Sequence, residues 1–263
     1  GNWDPRRAPN LNALWAEAVV EELGRLGVEL VVVAPGSRST PVAAALARAH
    51  LRDGGALLPR TMVHHDERGA CFAAVGFARS TGRPAAVLTT SGTAVPNCLP
   101  GAVEASQAKL PLLLLTADRA PEARTNGANQ AIPSQSVIFA PYSRYSVELP
   151  CPTADLPLSY PLAELGRAFQ AASDPANPGP AHLNLMFREN LAPDPGPARG
   201  EWRRGPAASP PTAESGRSES GGAGLSSRAQ GGWDRACVET PRVQRWLRSG
   251  RPFYPGAAAA GGA

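Results

Sequence analysis

The sequence predicts an α/β domain in which a parallel sheet is flanked by helices. Short, nearly continuous apolar runs, typical of strands buried on both faces, alternate with longer segments whose apolar residues recur at helical spacing. This alternation has the spacing of right-handed βαβ crossovers. Polar turns follow four of the runs. Since chemistry in such sheets gathers at the carboxyl ends of the strands, we expect these turns to form one site.

The first predicted element is a helix, because apolar residues recur every three or four positions from Asn10 to Leu26, and Gly27 is a suitable stop. Pro41 suits the first turn of the second helix. The predicted strands cover residues 28–34, 61–65, 85–90, 112–116, 147–149 and 182–186. The predicted helices cover residues 10–26, 41–50, 69–80, 97–109 and 162–172. A further stretch, 243–247, is compatible with one helical turn.

The composition changes after Pro193, where Gly, Pro, Ser, Ala and Arg dominate and apolar residues become sparse. Such sequence has too little apolar surface to offset the conformational entropy that ordering would cost. We therefore predict three parts: a disordered lead over residues 1–9, one α/β domain over residues 10–193, and a low-complexity, disordered tail over residues 194–263.

Composition also excludes some classes of protein. The 263 residues carry a formal net charge of +4, but arginine supplies nearly all of the positive charge and is scattered, so we expect no nucleic-acid binding. No apolar run reaches the roughly 18 residues of a membrane span. Neither a disulfide framework nor a metal site is predicted, because no C-x-x-C pair and no metal-ligand spacing of histidines occurs. The residues concerned are Cys71, Cys98, Cys151 and Cys237, and His64, His65 and His182.

The turn after the first strand, residues 36–40, combines backbone amides, the hydroxyls of Ser37 and its neighbours, and the guanidinium of Arg38. Helix starts attract anions, and arginine can hold a carboxylate through two parallel hydrogen bonds. An anion site is one interpretation of this turn. A capped helix with a solvated arginine is the other.

Glu67 follows the second strand and stands between Asp66 and Arg68. In a cleft with few charges, its carboxyl group would have a raised pKa and would exchange a proton with a bound base. The alternative is a salt-bridged cluster on the surface.

Three further polar segments are candidates. Ser91, Gly92 and Thr93 form either a phosphate or cofactor turn or a simple helix cap. Asp118 and Arg119, after the fourth strand, either pair with each other or face a ligand. The amides in residues 127–131 either bind a polar ligand or satisfy loop backbone.

Six motifs occur in a fixed order between Asn10 and Pro193. They are APGSRSTP, HHDERGACFAAVGFAR, AAVLTTSGTAVPN, LPLLLLTADRAPE, GANQAI and PAHLNLMFRENLAP. Together they resemble the N-terminal part of the 2-succinyl-5-enolpyruvyl-6-hydroxy-3-cyclohexene-1-carboxylate synthases, a thiamine diphosphate-dependent family of menaquinone and phylloquinone biosynthesis. The order of six motifs makes this resemblance more specific than any single motif.

The resemblance implies a pyrimidine-binding domain, thiamine diphosphate and Mg²⁺ as cofactors, and 2-oxoglutarate and isochorismate as substrates. In the family, 2-oxoglutarate is decarboxylated on the cofactor and the succinyl carbanion adds to isochorismate. The resemblance places Glu67 at N1′ of the aminopyrimidine, as the catalytic and cofactor-binding carboxyl group. It also implies a set of cofactor-binding residues beside the ring, Ser91, Gly92 and Thr93. The substrate-binding residues that it implies are Ser37, Arg38, Arg119, Asn129 and Gln130, with Arg38 on a carboxylate.

One departure from the family concerns magnesium and diphosphate. The family binds them through a Gly-Asp-Gly motif in a further domain, and no such motif occurs in this sequence. We therefore expect an incomplete form of the synthase, inactive by itself, that acts as a homo-oligomer or needs a missing diphosphate-binding domain. The alternatives are a catalytically silent interaction or regulatory module with the same fold, or a fragment of another thiamine enzyme such as acetolactate synthase. The expected compartment is the plastid in a photosynthetic eukaryote and the cytoplasm otherwise.

Overall fold

A six-stranded, all-parallel sheet forms the centre of the computed structural model, which describes residues 3–53, 59–192, 238 and 240–253. The strands are β1 Leu30–Val33, β2 Arg60–Val63, β3 Ala85–Thr89, β4 Leu112–Arg119, β5 Tyr145–Leu149 and β6 Pro180–Phe187. Their order across the sheet is β2-β1-β3-β4-β6-β5, and every neighbouring pair is parallel. The predicted parallel α/β fold is therefore confirmed.

Helices follow the strands as predicted, with ends that shift by a few residues. They are α1 Leu11–Arg25, α2 Thr40–Asp53, α3 Glu67–Thr81, α4 Ala94–Asn97, α5 Leu99–Gln107, α6 Ser159–Ala172 and α7 Pro241–Ser249. The helix predicted over residues 97–109 corresponds to α5, and a separate short helix, α4, precedes it, with a break at Cys98. Pro100, at the start of α5, explains the break, because proline has no N–H to donate back to the preceding turn.

Two apolar layers cover the sheet. Alternate residues of each strand point to opposite faces, so Val31 and Val33 join a cluster with α1, α2 and α6, while Leu30 and Val32 join a cluster with α3 and α5. The inner strands β1, β3, β4 and β6 are buried almost throughout, as their unbroken apolar sequences require. Edge strand β2 differs, since all four of its residues are exposed.

The segment around α7 packs against α1. Its apolar side chains, Val238, Val243, Trp246 and Phe253, are buried in the same cluster as α1, α2 and α6. Trp246 donates from Nε1 to Glu22 Oε2 at 2.7 Å, and the backbone N–H of Phe253 donates to Glu22 Oε1 at 2.5 Å. The prediction of a disordered tail is therefore wrong for residues 240–253. The other tail residues, apart from 238, lie outside the described residues, and the domain boundary near residue 193 stays a prediction.

The predicted disordered lead is likewise ordered from residue 3 onward. Trp3 donates from Nε1 to Glu17 at 2.8 Å and packs edge-on against Trp246, with ring centroids 5.7 Å apart. Asp4 caps a 3₁₀ turn over residues 5–7. Single aromatic residues thus anchor both chain segments onto α1. A composition averaged over a long polar stretch does not show such anchors.

None of the helices in the described ranges has both the length and the apolar character that crossing a membrane requires.

Candidate cofactor and substrate site

The carboxyl ends of four strands meet along one edge of the sheet. Val33 of β1 is in register with Val63 of β2 and Leu88 of β3, and Thr89 of β3 is in register with Thr116 of β4. The turns that follow these strands are therefore neighbours, as the sequence predicts. A direct contact joins two of them, because the backbone N–H of Arg38 donates to Thr90 Oγ1 at 3.2 Å.

The turn after β3 is packed against the polar segment 127–131 without a gap. Gly92 has φ +75°, and a Cβ atom there would lie 2.5 Å from the backbone carbonyl carbon of Gln130, so only glycine fits without strain. The Ser91 hydroxyl donates to the Gln130 carbonyl at 2.8 Å. The structure therefore brings Ser91, Gly92 and Gln130 together, while the side chains of Thr93 and Gln130 are exposed.

Arg38 is buried, so the interpretation as a solvated arginine is wrong. Its Nη1 donates to the carbonyl of Phe187, the last residue of β6, at 3.0 Å. Its Nη2 lies 2.8 Å from Glu189 Oε1, and this glutamate side chain is 68% exposed whereas that of Arg38 is 7% exposed. The neighbouring Ser37 is exposed at the same turn. The site thus holds a buried cation whose partner anion faces solvent.

Glu67 is the first residue of α3, with Asp66 as the helix cap. Its side chain is half-buried, and its carboxylate accepts a hydrogen bond from Asn97, whose Nδ2 is 3.5 Å from Oε2. None of the ion pairs between described residues includes Glu67, so the alternative of a salt-bridged surface cluster is wrong. A carboxylate without a cation partner stays available to a ligand.

Asp118 and Arg119 do not pair through their side chains. The Arg119 guanidinium instead donates to the carbonyl and the side-chain oxygen of Asn129, at 2.7 and 2.9 Å. Asp118 forms an ion pair with Arg124 at 2.7 Å, and its contact with Arg119 is limited to the backbone N–H of that residue. Arg119 and Asn129 therefore form one hydrogen-bonded pair on the solvent-facing side of the same edge.

Two buried side-chain amides, those of Gln135 and Asn184, connect the strand ends at this edge. The sequence does not mark them as site residues. Gln135 Oε1 accepts the backbone N–H of Gly92 at 3.0 Å, while its Nε2 donates to the Ala117 carbonyl and to Asn184 Oδ1 at 3.0 and 2.8 Å. Asn184 in turn donates to Asp118 Oδ2 at 2.8 Å. The network fixes the turn after β3 relative to β4 and β6. Its signal in the sequence is a pair of polar residues, His182 and Asn184, in a strand whose other residues are apolar.

Burial shifts the titration of two groups in this network. It raises the pKa of Asp118, although hydrogen bonding from Asn184 and the charge of Arg124 oppose the shift. Burial lowers the pKa of His182 to about 4, so this histidine is neutral at pH 7. His182 lies edge-on against Phe139, and its Nε2 is 2.7 Å from Thr116 Oγ1. It is a core histidine.

In the ranges that the structure describes, no group of three or more His, Cys, Asp or Glu residues is arranged to hold a metal ion.

Comparison with known proteins shows which family the chain is similar to. Residues 15–138 match the family described as thiamine pyrophosphate enzyme, N-terminal TPP binding domain. Over these residues the chain is similar to the N-terminal TPP-binding domain of thiamine pyrophosphate enzymes. The predicted fold class, a parallel sheet flanked by helices in a pyrimidine-binding domain, is thereby confirmed.

Three curated relatives are 2-succinyl-5-enolpyruvyl-6-hydroxy-3-cyclohexene-1-carboxylate synthases. The chain is 52% identical to that of Rubrobacter xylanophilus over 187 residues, which are 71% of this chain and 31% of the relative. It is 48% identical to that of Salinibacter ruber over 193 residues, 73% of this chain and 31% of the relative. It is 52% identical to that of Chloroflexus aurantiacus over 181 residues, 68% of this chain and 29% of the relative. The resemblance to this family is therefore confirmed, and the chain spans under a third of the length of these relatives.

Proposed function

We propose that this chain is the pyrimidine-binding part of a thiamine diphosphate-dependent synthase that decarboxylates 2-oxoglutarate and adds the succinyl unit to isochorismate. This reaction would serve menaquinone or phylloquinone biosynthesis. The observation that carries the proposal is one sheet edge in a chain similar to such synthases. This edge combines the Glu67 carboxylate, which has no ion-pair partner among the described residues, with a buried cation, Arg38. The compartment, plastid or cytoplasm, depends on the source of the chain.

Thiamine diphosphate fits the donor chemistry of this edge. When bound, it supplies the carbon nucleophile that the decarboxylation requires. Glu67 is half-buried and has no ion-pair partner among the described residues, so its carboxyl group is available to hold a proton at a ring nitrogen such as N1′. Ser91, Gly92 and Thr93 would lie beside the aminopyrimidine, and Gln135 keeps this turn in position through the N–H of Gly92.

Both proposed substrates carry carboxylates, which suits the cations of this edge. Arg38 would hold a carboxylate, since a guanidinium donates two parallel hydrogen bonds to one. Arg119 and Asn129, already joined to each other, would form the outer wall together with Ser37 and Gln130. These residues would orient isochorismate relative to the cofactor.

Magnesium and the diphosphate would be held elsewhere. Among the described residues no acidic cluster suits a metal ion, and the sequence contains no Gly-Asp-Gly motif. We therefore assign both groups to a diphosphate-binding domain outside this chain or to a partner in a homo-oligomer. By itself the chain would bind thiamine diphosphate weakly and would not release carbon dioxide from 2-oxoglutarate.

A chimeric enzyme tests the proposal. Residues 10–192 would replace the equivalent segment of the Rubrobacter synthase, which is 52% identical over the matched region. With thiamine diphosphate, Mg²⁺, 2-oxoglutarate and isochorismate, we expect carbon dioxide release and the adduct by mass spectrometry. A chimera that folds and binds thiamine diphosphate but forms no adduct would favour the catalytically silent module. Decarboxylation without addition to isochorismate would favour another thiamine enzyme.

A further inference from the structure

Glu189 binds the guanidinium that the proposed function gives to a substrate. We propose that Glu189 is an internal placeholder, whose carboxylate neutralises Arg38 until the carboxylate of a dicarboxylate ligand displaces it. This inference deepens the proposed function and rests on it only for the identity of the displacing ligand. Glu189 then competes with the ligand carboxylate for Arg38 and does not support ligand binding.

The need for a placeholder follows from the burial of Arg38. A guanidinium that is 7% exposed is largely removed from water, and burying an unpaired charge is strongly unfavourable. The carbonyl of Phe187 satisfies one nitrogen, but a neutral carbonyl does not balance the charge. The charge therefore requires an anion whether or not a ligand is bound, and Nη2 is the nitrogen that faces the present one, Glu189.

The glutamate that fills this position is easily released. Its side chain is 68% exposed, so its carboxylate is hydrated again as soon as it leaves Arg38. An ion pair with one exposed member is weak in net terms, since solvent competes for that member. A ligand carboxylate can therefore replace that of Glu189 at Arg38 with little loss of free energy.

The backbone around Glu189 lets its side chain move alone. Asn12 donates from Nδ2 to the carbonyls of Arg188 and Asn190, at 2.7 and 2.9 Å, and so holds the chain on both sides. The side chain of Arg188 is occupied by Glu122, at 2.5 Å. A rotation about the side-chain bonds of Glu189 would free Arg38 without displacing β6.

The turn that carries Arg38 contacts the cofactor turn. The backbone N–H of Arg38 is bonded to Thr90, which directly precedes Ser91. A ligand carboxylate in the place of Glu189 would thus be held at the same strand-end edge that carries Glu67. The position that the Glu189 carboxylate vacates is therefore part of the site and not a remote surface.

Succinate is the probe for the test, because it carries two carboxylates and no reactive carbonyl. Calorimetric titration of the full chain at constant ionic strength would compare wild type with Glu189→Gln and Glu189→Ala. If Glu189 occupies Arg38 for roughly 80–90% of the time, its removal should tighten apparent succinate affinity about five- to tenfold. The matched control is Glu104→Gln, which breaks the exposed 2.9 Å pair with Arg79 and should change nothing.

The sign of the effect decides between the two roles. If Glu189 merely supported Arg38, its removal would weaken succinate binding, and that result or an unchanged affinity would overturn the proposal. Absence of succinate binding in both Glu189 variants would overturn it as well. Arg38→Ala should abolish the gained affinity. Because succinate binding needs no turnover, this outcome is independent of whether the chimeric enzyme is active.

Discussion

The contact between α1 and α7 should depend on pH through Glu22. This glutamate is fully buried and accepts hydrogen bonds from Trp246 and from the backbone of Phe253. Burial raises its pKa from 4.5 to about 7, and the two hydrogen bonds and Arg25 only partly oppose the shift. The charged groups nearest to it are Arg25, which also lies 4.4 Å above the Trp246 ring, and Glu21.

The direction of the effect follows from proton uptake. When α7 leaves α1, Glu22 meets water and its pKa returns towards 4.5, so the docked form binds the proton more tightly. The contribution of Glu22 to docking is fully present below about pH 4.5 and is lost as the pH rises through about 7. A pKa difference of one corresponds to about 1.4 kcal/mol. The rise from 4.5 to about 7 therefore corresponds to a loss of roughly 3 kcal/mol in the free energy of docking.

Native-state hydrogen exchange measures this free energy directly, because the α7 amides exchange only when the helix opens. After correction for intrinsic exchange rates, the opening free energy of residues 244–249 should fall between pH 5 and pH 8. Glu22→Gln should remove the pH dependence, whereas Glu104→Gln, far from α7, should retain it. Equal opening free energies at both pH values in the wild type would refute the reasoning, as would a Glu22→Gln variant that kept the full pH dependence.

Three further predictions concern the sheet edge. In the chimeric enzyme, Glu67→Gln should keep cofactor affinity but lower steady-state turnover by about 10²–10⁴-fold, the range for general acid–base roles; turnover within a factor of about three of wild type would contradict the assignment. Arg38→Ala should weaken apparent substrate affinity by about 1.5–3 kcal/mol, and full rescue by Arg38→Lys would exclude a two-pronged contact. Gln135→Leu leaves the N–H of Gly92 without its acceptor, so urea unfolding should show a loss of about 1–3 kcal/mol; unchanged stability would show that water replaces the amide.

The strands and the position of the site could be predicted because they depend on local patterns. A strand buried on both faces needs an unbroken apolar run, and β1, β3 and β4 have one. Once such strands are parallel, the turns after them must lie at one edge, whatever their side chains do. Order along the chain therefore suffices to predict that Glu67, Arg38 and the turn at Gly92 lie at this edge, whereas their roles rest on the family resemblance.

The partners of these side chains could not be predicted in the same way. The carbonyl that binds the Arg38 guanidinium is 149 residues further along the chain, and no local pattern links the two. The amide of Gln135 lies in a short 3₁₀ turn with no periodicity. A helical turn over residues 243–247 could be predicted, but the packing of α7 on α1 could not. Trp246 and Phe253 are few apolar residues within a long polar stretch, and their burial depends on the surface of α1.

The position of β6 has a consequence for the synthesis of this chain on the ribosome. It is the last strand of the sheet to be translated, yet it lies between β4 and β5 and is the sole neighbour of β5 in the described sheet. Until residue 187 has emerged, the four leucines of β4, residues 112–115, form an open apolar edge, which is a template for pairing with other chains. Translation that pauses before β6 therefore leaves a nascent chain that is prone to aggregate, and chaperone binding should be greatest in that interval.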